Sequence, residues 1–324
     1  PLRSFDAALT LTAPTASQGD LRIDTPKVVA TLSDGVFDLR ELTGKVYGGT
    51  LAMHAHIDAR AAPVAVSANL RIAGANAAAM ADAGHGGGAR TMGGLLELIF
   101  PVSAVSLTSG TLGADFNVDS RGASPFELVS NLSGKVGVSF VDAVVSGIDA
   151  CRVSKQLDSI KGLQGFLDLA GSTRGGQTRI GNFQTSFGIA RGVAVLPEQT
   201  ITADCSSVAV KGSVDLPRWL VDMQTRARLT EHRNFPGVLV EEKGSLDQPN
   251  IRVVNINEIQ QYVAGKGVET IIRNLAPGQQ QAPQQQAPRQ QAPQQQAPQQ
   301  APQQPQRPAD RFNDILQDFL KTPR

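Results

Sequence analysis

Between residues 177 and 229 apolar and polar side chains alternate in short runs, broken by glycine, proline and aspartate. Phe183, Phe187 and Ile189 fall on one parity, with Gln184, Ser186 and Gly188 on the other. Val193 and Val195 follow, then Ile201, Ala203 and Cys205, then Val208 and Val210. The series ends on Val221, Met223, Thr225, Ala227 and Leu229. A period of two over four to eight residues predicts antiparallel strands with one apolar face.

The same pattern recurs upstream. Phe5, Ala7, Leu9 and Leu11 alternate, Val28, Ala30 and Leu32 follow, and Ser33-Asp34-Gly35 predicts a turn. After Gly48-Gly49, the side chains of Leu51, Met53, Ala55 and Ile57 share a face opposite His54, His56 and Asp58. Leu112, Ala114, Phe116 and Val118 alternate with Asp115, Asn117 and Asp119, and Val136, Val138 and Phe140 give a further strand. Val238–Val240 and Ile251–Val253 read as closing strands.

Helical signals are few. Ser124-Pro125-Phe126-Glu127 combines a serine cap, proline at the first helical position and glutamate three residues after the cap, predicting a helix through Leu132 that stops at Gly134. Asp149 is placed to cap a second helix carrying Cys151, Val153, Leu157 and Ile160. A third is expected from Asn257 to Leu275. The expected organisation is a β-module over 1–73, a Gly/Ala-rich connection over 74–104, and a β domain with short helices over 105–275. A disordered Gln/Ala/Pro linker over 276–308 and an amphipathic helix over 309–324 complete it. In that last segment Phe312, Ile315, Leu316, Phe319 and Leu320 follow helical spacing, and a protein partner in the envelope is expected for it.

Composition narrows the function. Aromatic residues make up 5% of the chain while small residues abound, which suits a long thin β-structure. Thirty basic against twenty-nine acidic residues give a net charge of +1, so nothing favours nucleic acid. No GxSxG, HExxH, phosphate-loop or dinucleotide pattern occurs, and GHGGGAR at 84–90 lacks a strand–turn–helix context, so neither an enzyme nor a cofactor is expected. His54 and His56 share a side of their strand but lack a third ligand at metal spacing, so a solvated face is the reading and no metal is expected. Cys151 and Cys205 leave two alternatives, one disulfide in an oxidising compartment or two small buried side chains in a reducing one. The chain opens on Pro1 directly into strand-like sequence, so any anchor is expected upstream.

Three stretches carry a family resemblance. ATLSDGVFDLRELTGKVYGGTLAMHAHID at 30–58 resembles a recurring element of the AsmA family of bacterial envelope proteins. LVSNLSGKVGVSFVDAVVSGIDACRVSKQLDSI at 128–160 and the segment 178–229 are similar to that family's downstream signatures, in the same order. The likeness covers most of residues 5–255, and the tail lies outside it. It implies a periplasmic body held to the inner membrane by an N-terminal helix, outer-membrane biogenesis, and phospholipid transport between the two membranes. It also implies the curled β-groove of chorein-type bridge proteins, with no catalytic residues.

Alternation alone favours a β-sandwich whose apolar face is closed core; the resemblance turns the expectation to an open groove. The expected fold is therefore mainly β, an elongated curled antiparallel sheet forming an apolar groove. Its expected lining is Leu51, Met53, Ile57, Phe116, Val118, Val138, Phe140, Phe183, Phe187, Ile189 and Val210. The alternative function is a periplasmic scaffold that influences outer-membrane protein assembly through its tethered helix.

Overall fold

The computed structural model describes residues 5–18, 21–84, 106–157, 159–160, 165 and 176–274. The expected linker and terminal helix, with Phe312, Ile315, Leu316, Phe319 and Leu320, lie outside them. Fifteen strands form one antiparallel sheet. In chain order they are β1 (Ala7–Thr12), β2 (Thr15–Gln18), β3 (Leu21–Ser33), β4 (Val36–Val46), β5 (Gly49–Asp58), β6 (Val64–Asn76), β7 (Ser106–Gly122) and β8 (Ser133–Ser146). There follow β9 (Gln177–Arg179), β10 (Phe183–Ala190), β11 (Val193–Ala203), β12 (Ser206–Asp215), β13 (Leu220–Leu229), β14 (Val238–Ser245) and β15 (Gln248–Val253). Apart from β2, which pairs with β3, and β9, which pairs with β8, each strand lies beside its neighbours in sequence. The strands β1 and β15 are the two edges, so the sheet is not closed.

Four helices are described: α1 (Ala77–Gly84), α2 (Pro125–Ser130), α3 (Ala150–Leu157) and α4 (Ile256–Asn274). At α2 the Ser124 hydroxyl accepts from the Glu127 amide at 3.2 Å, and the Glu127 carboxylate accepts from the Ala123 amide at 2.7 Å. That helix is shorter than its sequence suggested. It ends at Ser130, and Gly134 belongs to β8 because pairing with β7 claims the chain from Ser133 onward. Asp149 caps α3 as expected, its carboxylate accepting from the Arg152 amide at 2.8 Å.

The expected connection at 74–104 begins as regular structure. Strand β6 runs to Asn76, and the Asn76 side chain accepts from the Ala79 amide at 2.9 Å at the start of α1. Because β6 pairs with β7 from Val64↔Gly122 to Asn76↔Thr111, one sheet continues across the two expected β regions.

Two strands repeat one plan. Strands β4 and β11 are both eleven residues long. Both are entered from a two-residue turn with positive φ at each position, Asp34-Gly35 (47° and 76°) and Arg191-Gly192 (51° and 71°). This turn type matches the twist of the strands it joins, and glycine takes its second place without strain. Both strands also bulge at the same distance from the turn, between Leu39 and Leu42 and between Leu196 and Gln199.

Candidate functional site: one continuous apolar face

Directly opposed residues in an antiparallel pair point to the same side of a sheet, so the register traces each face across the molecule. Leu51 lies opposite Ile72, Ile72 opposite Ala114, Ala114 opposite Val138 and Val138 opposite Thr185. One rung further along, Met53, Leu70, Phe116, Val136 and Phe187 follow one another in the same way. Ile57 faces Val66, Val118 faces Ala68, and Phe140 stands between Leu112 and Phe183. Ile189 is opposite Ala194 and Ala194 opposite Val214, which puts Val210 on the same side. All eleven expected lining residues therefore share one face, and that face continues from β1 to β15.

Burial divides them. Leu51, Val138, Phe140, Ile189 and Val210 are core, with Phe140 only 1% exposed and Val210 2%. Met53, Ile57, Phe116, Val118, Phe183 and Phe187 are half-buried. Only this second group has side-chain surface to offer a ligand.

The face changes along its length. On β1, Leu9 and Leu11 lie opposite Ala30 and Val28 on the apolar side, yet each is 50% exposed. At the other end Leu229, Val240 and Val253 are buried in a second hydrophobic cluster. Leu157 at the end of α3, the adjacent Ile160, and Ile259 and Val263 of α4 bury themselves against those strands. Phe235 joins them, its ring 5.3 Å from that of Tyr262 and edge-on to it.

The Cys151 and Cys205 sulfurs are bonded at 2.04 Å, with Cα atoms 5.1 Å apart. The bridge joins the first turn of α3 to the turn between β11 and β12. Ala150 donates its amide to the Thr178 hydroxyl at 3.1 Å, the Ser154 hydroxyl donates to Glu231 at 3.2 Å, and His232 Nε2 donates to the Ser154 carbonyl at 2.7 Å.

The apolar face is not wholly apolar. Thr185, Thr225 and Glu242 are buried on it, Glu242 between Met223 and Ile251. Among the described residues the Thr225 hydroxyl has no hydrogen-bond partner. Glu242 escaped the sequence reading, although Val238, Val240 and Glu242 share a parity and that signal was legible.

The opposite face carries the charges. Lys27 donates to Glu41 at 2.7 Å and holds its carboxyl below the usual carboxylate range. Hydrogen bonds from the Arg60 side chain and amide pull Asp58 down further. At the far end Arg252 donates to Glu241 at 3.1 Å, with Gln224 on the other carboxylate oxygen, and depresses that carboxyl too. His56 meets Asp38 through Nδ1, and His54 Nδ1 meets the Arg40 carbonyl. A hollow of about 490 Å³ lies beside His56, lined by Ala65, Val66, Ser67, Asp119, Arg121 and Asn131 among others.

Among the described residues no cluster of three or more His, Cys, Asp or Glu side chains is placed to hold a metal ion. No described helix is long and apolar enough to cross a membrane. What the arrangement offers chemically is hydrocarbon contact on one side and water contact on the other. No protein-family model, no curated protein and no solved structure matches the chain.

Proposed function

We propose that this protein is a non-enzymatic, lipid-handling element of the bacterial periplasm, carrying phospholipid acyl chains between the inner and outer membranes in support of outer-membrane biogenesis. In this reading it is held to the inner membrane by a segment upstream of the sequence, and its sheet curls into an open groove of the AsmA type. The observation that carries the reading is the single apolar face, matched in register over every strand step and uncovered at β1.

The energetics ask for such a face. Each CH₂ moved into water costs about 0.8 kcal/mol, so a sixteen-carbon chain left bare costs roughly 12 kcal/mol. A carrier offsets this only where its apolar contact is unbroken. A sheet of this width favours curling as well. Neighbouring strands rotate by about 20–25°, which accumulates to roughly 240–300° over twelve steps, and open sheets beyond about ten strands rarely stay simple. Ala55, Ala68, Ala114, Gly134 and Ala227 on the inner side leave depth that bulky side chains would fill. The bridge between Cys151 and Cys205 suits an oxidising compartment.

The test is a photo-crosslinking amino acid at Phe116 or Phe187, both half-buried on the apolar face. Phospholipid adducts on the protein isolated from cells are the expected result. Capture of protein alone at both positions overturns the reading.

A further inference from the structure

Two helices cover the far end of the apolar face, and the smaller of them, α3, is pinned to the sheet by a covalent bond. Helix α3 has eight residues, far below the roughly 12–15 at which an isolated helix becomes marginally stable in water. It stays in place by burying Ala150, Ser154 and Leu157, by the hydrogen bonds to Thr178, Glu231 and His232, and by the covalent link to Cys205. That link closes a loop between positions 54 residues apart and anchors the helix to a hairpin turn of the sheet itself. In the same cluster lie Leu229, Val238 and Val240. Through the register these continue the face beyond β12, since Val208 is opposite Ala227 and Ala227 opposite Val238, while Val210, Thr225 and Val240 form the next rung.

Resting on the lipid reading above, we infer that α3 is a lid pinned by a disulfide over the apolar face of β13 and β14, and that reduction of the Cys151–Cys205 bond opens it. The reductant is a protein dithiol. Its two sulfurs become a disulfide, and two electrons and two protons pass to Cys151 and Cys205, which leave as thiols. Both cysteines are half-buried rather than sealed in the core. With the pin gone, the remaining contacts hold a helix too short to persist alone, and the groove gains the surface of two strands, about 10 Å of width. Helix α4, anchored separately through Ile259 and Val263, stays as the final wall.

Hydrogen exchange on the full chain, oxidised and after dithiothreitol, tests the lid without reference to lipid. Exchange in α3 should accelerate about tenfold or more on reduction, while residues 256–263 of α4 keep their protection. The Cys151→Ser and Cys205→Ser variants should reproduce the reduced protein, and reduction of folded wild type serves if either variant fails to fold. A photo-crosslinking amino acid at Leu229, buried in that cluster, with vesicles of phosphatidylethanolamine and phosphatidylglycerol, reads the consequence. Lipid adducts at Leu229 are expected only in the reduced protein, against adducts at Phe116 in both states. Unchanged exchange in α3, or lipid at Leu229 in the oxidised protein, overturns the lid. So does faster exchange without new capture at Leu229 while Phe116 still captures. Loss of capture at Phe116 in both states counts against the lipid reading instead, and the exchange result then decides the lid alone.

Discussion

The two ends of the apolar face are built from the same alternation and treated in opposite ways. On β1, Leu9 and Leu11 stand half in water with no helix against them among the described residues. Around β13–β15, Leu229, Val240 and Val253 lie under α3 and α4. The repeated strand plan adds a second contrast, because β4 and β11 share turn, length and bulge while their inner residues differ in depth. Leu39 and Leu42 are half-buried, whereas Leu196 and Ile201 are 7% and 2% exposed. Leu196 and Ile201 belong to the central cluster rather than to the helix-covered one, so one backbone plan supports different depths of burial even away from the ends. At the ends themselves, what separates β1 from β13–β15 is the pair of helices packed on the latter.

A charge placed on the face separates the two ends most strongly. Val240→Asp buries a carboxylate in the cluster that holds Leu157 and Ile259, where the lone Thr225 hydroxyl opposite is too little to solvate it, and should destabilise the protein by more than about 4 kcal/mol or abolish folding. Leu9→Asp puts the same group where half the side chain already meets water, and should cost no more than about 1 kcal/mol. Urea denaturation midpoints of the two variants decide it; equal losses would erase the distinction between the ends.

Truncation in the middle of the face gives a smaller contrast. Phe140→Ala empties a site that is 1% exposed and should cost about 3–5 kcal/mol. Phe116, one strand away and half-buried, should lose only part of its transfer free energy, about 1–2 kcal/mol. If Phe116→Ala proves as costly as Phe140→Ala in thermal unfolding, Phe116 is core and has no surface to lend a ligand.

Much of this was readable from the chain because strand parity is local. The alternation of Phe183 to Ile189 and of Leu51 to Ile57 survives in the register, and Asp34-Gly35, Ser124 and Asp149 act where turn and cap chemistry places them. Strand β6 was passed over although its signal is there: in VAVSANLRIAGAN, Val64, Val66, Ala68, Leu70 and Ile72 alternate with Ala65, Ser67, Asn69 and Arg71, and the register puts the first set on the apolar face. The early end of α2 has a different cause, since a partner strand distant in sequence draws Ser133 and Gly134 into β8. The depth of burial at Phe140 compared with Phe116 was not legible at all. Both sit on the same parity, and what covers each depends on contacts remote along the chain.

The outer face supplies the weakest and most specific test, because there the two ends are alike. Glu41 is held by Lys27 near one end and Glu241 by Arg252 near the other, and in both the cation's hydrogen bond lowers the carboxyl below its ordinary value of 4.5. A carboxyl depressed in the folded state adds stability above its unfolded pKa and loses it as pH falls through the folded one. Arg252→Ala should lower Tm by about 2 °C or less at pH 7, as exposed ion pairs generally do. The gap to wild type should hold down to about pH 5 and close below 4.5, where both forms protonate Glu241. Lys27→Ala should follow the same profile with no larger amplitude, since Glu41 is the more exposed of the two carboxylates, 32% against 14%. A gap at Arg252 that persists in acid would mean that this side chain supports the helix-covered end by packing. The ends would then differ on their outer face as well as their inner one.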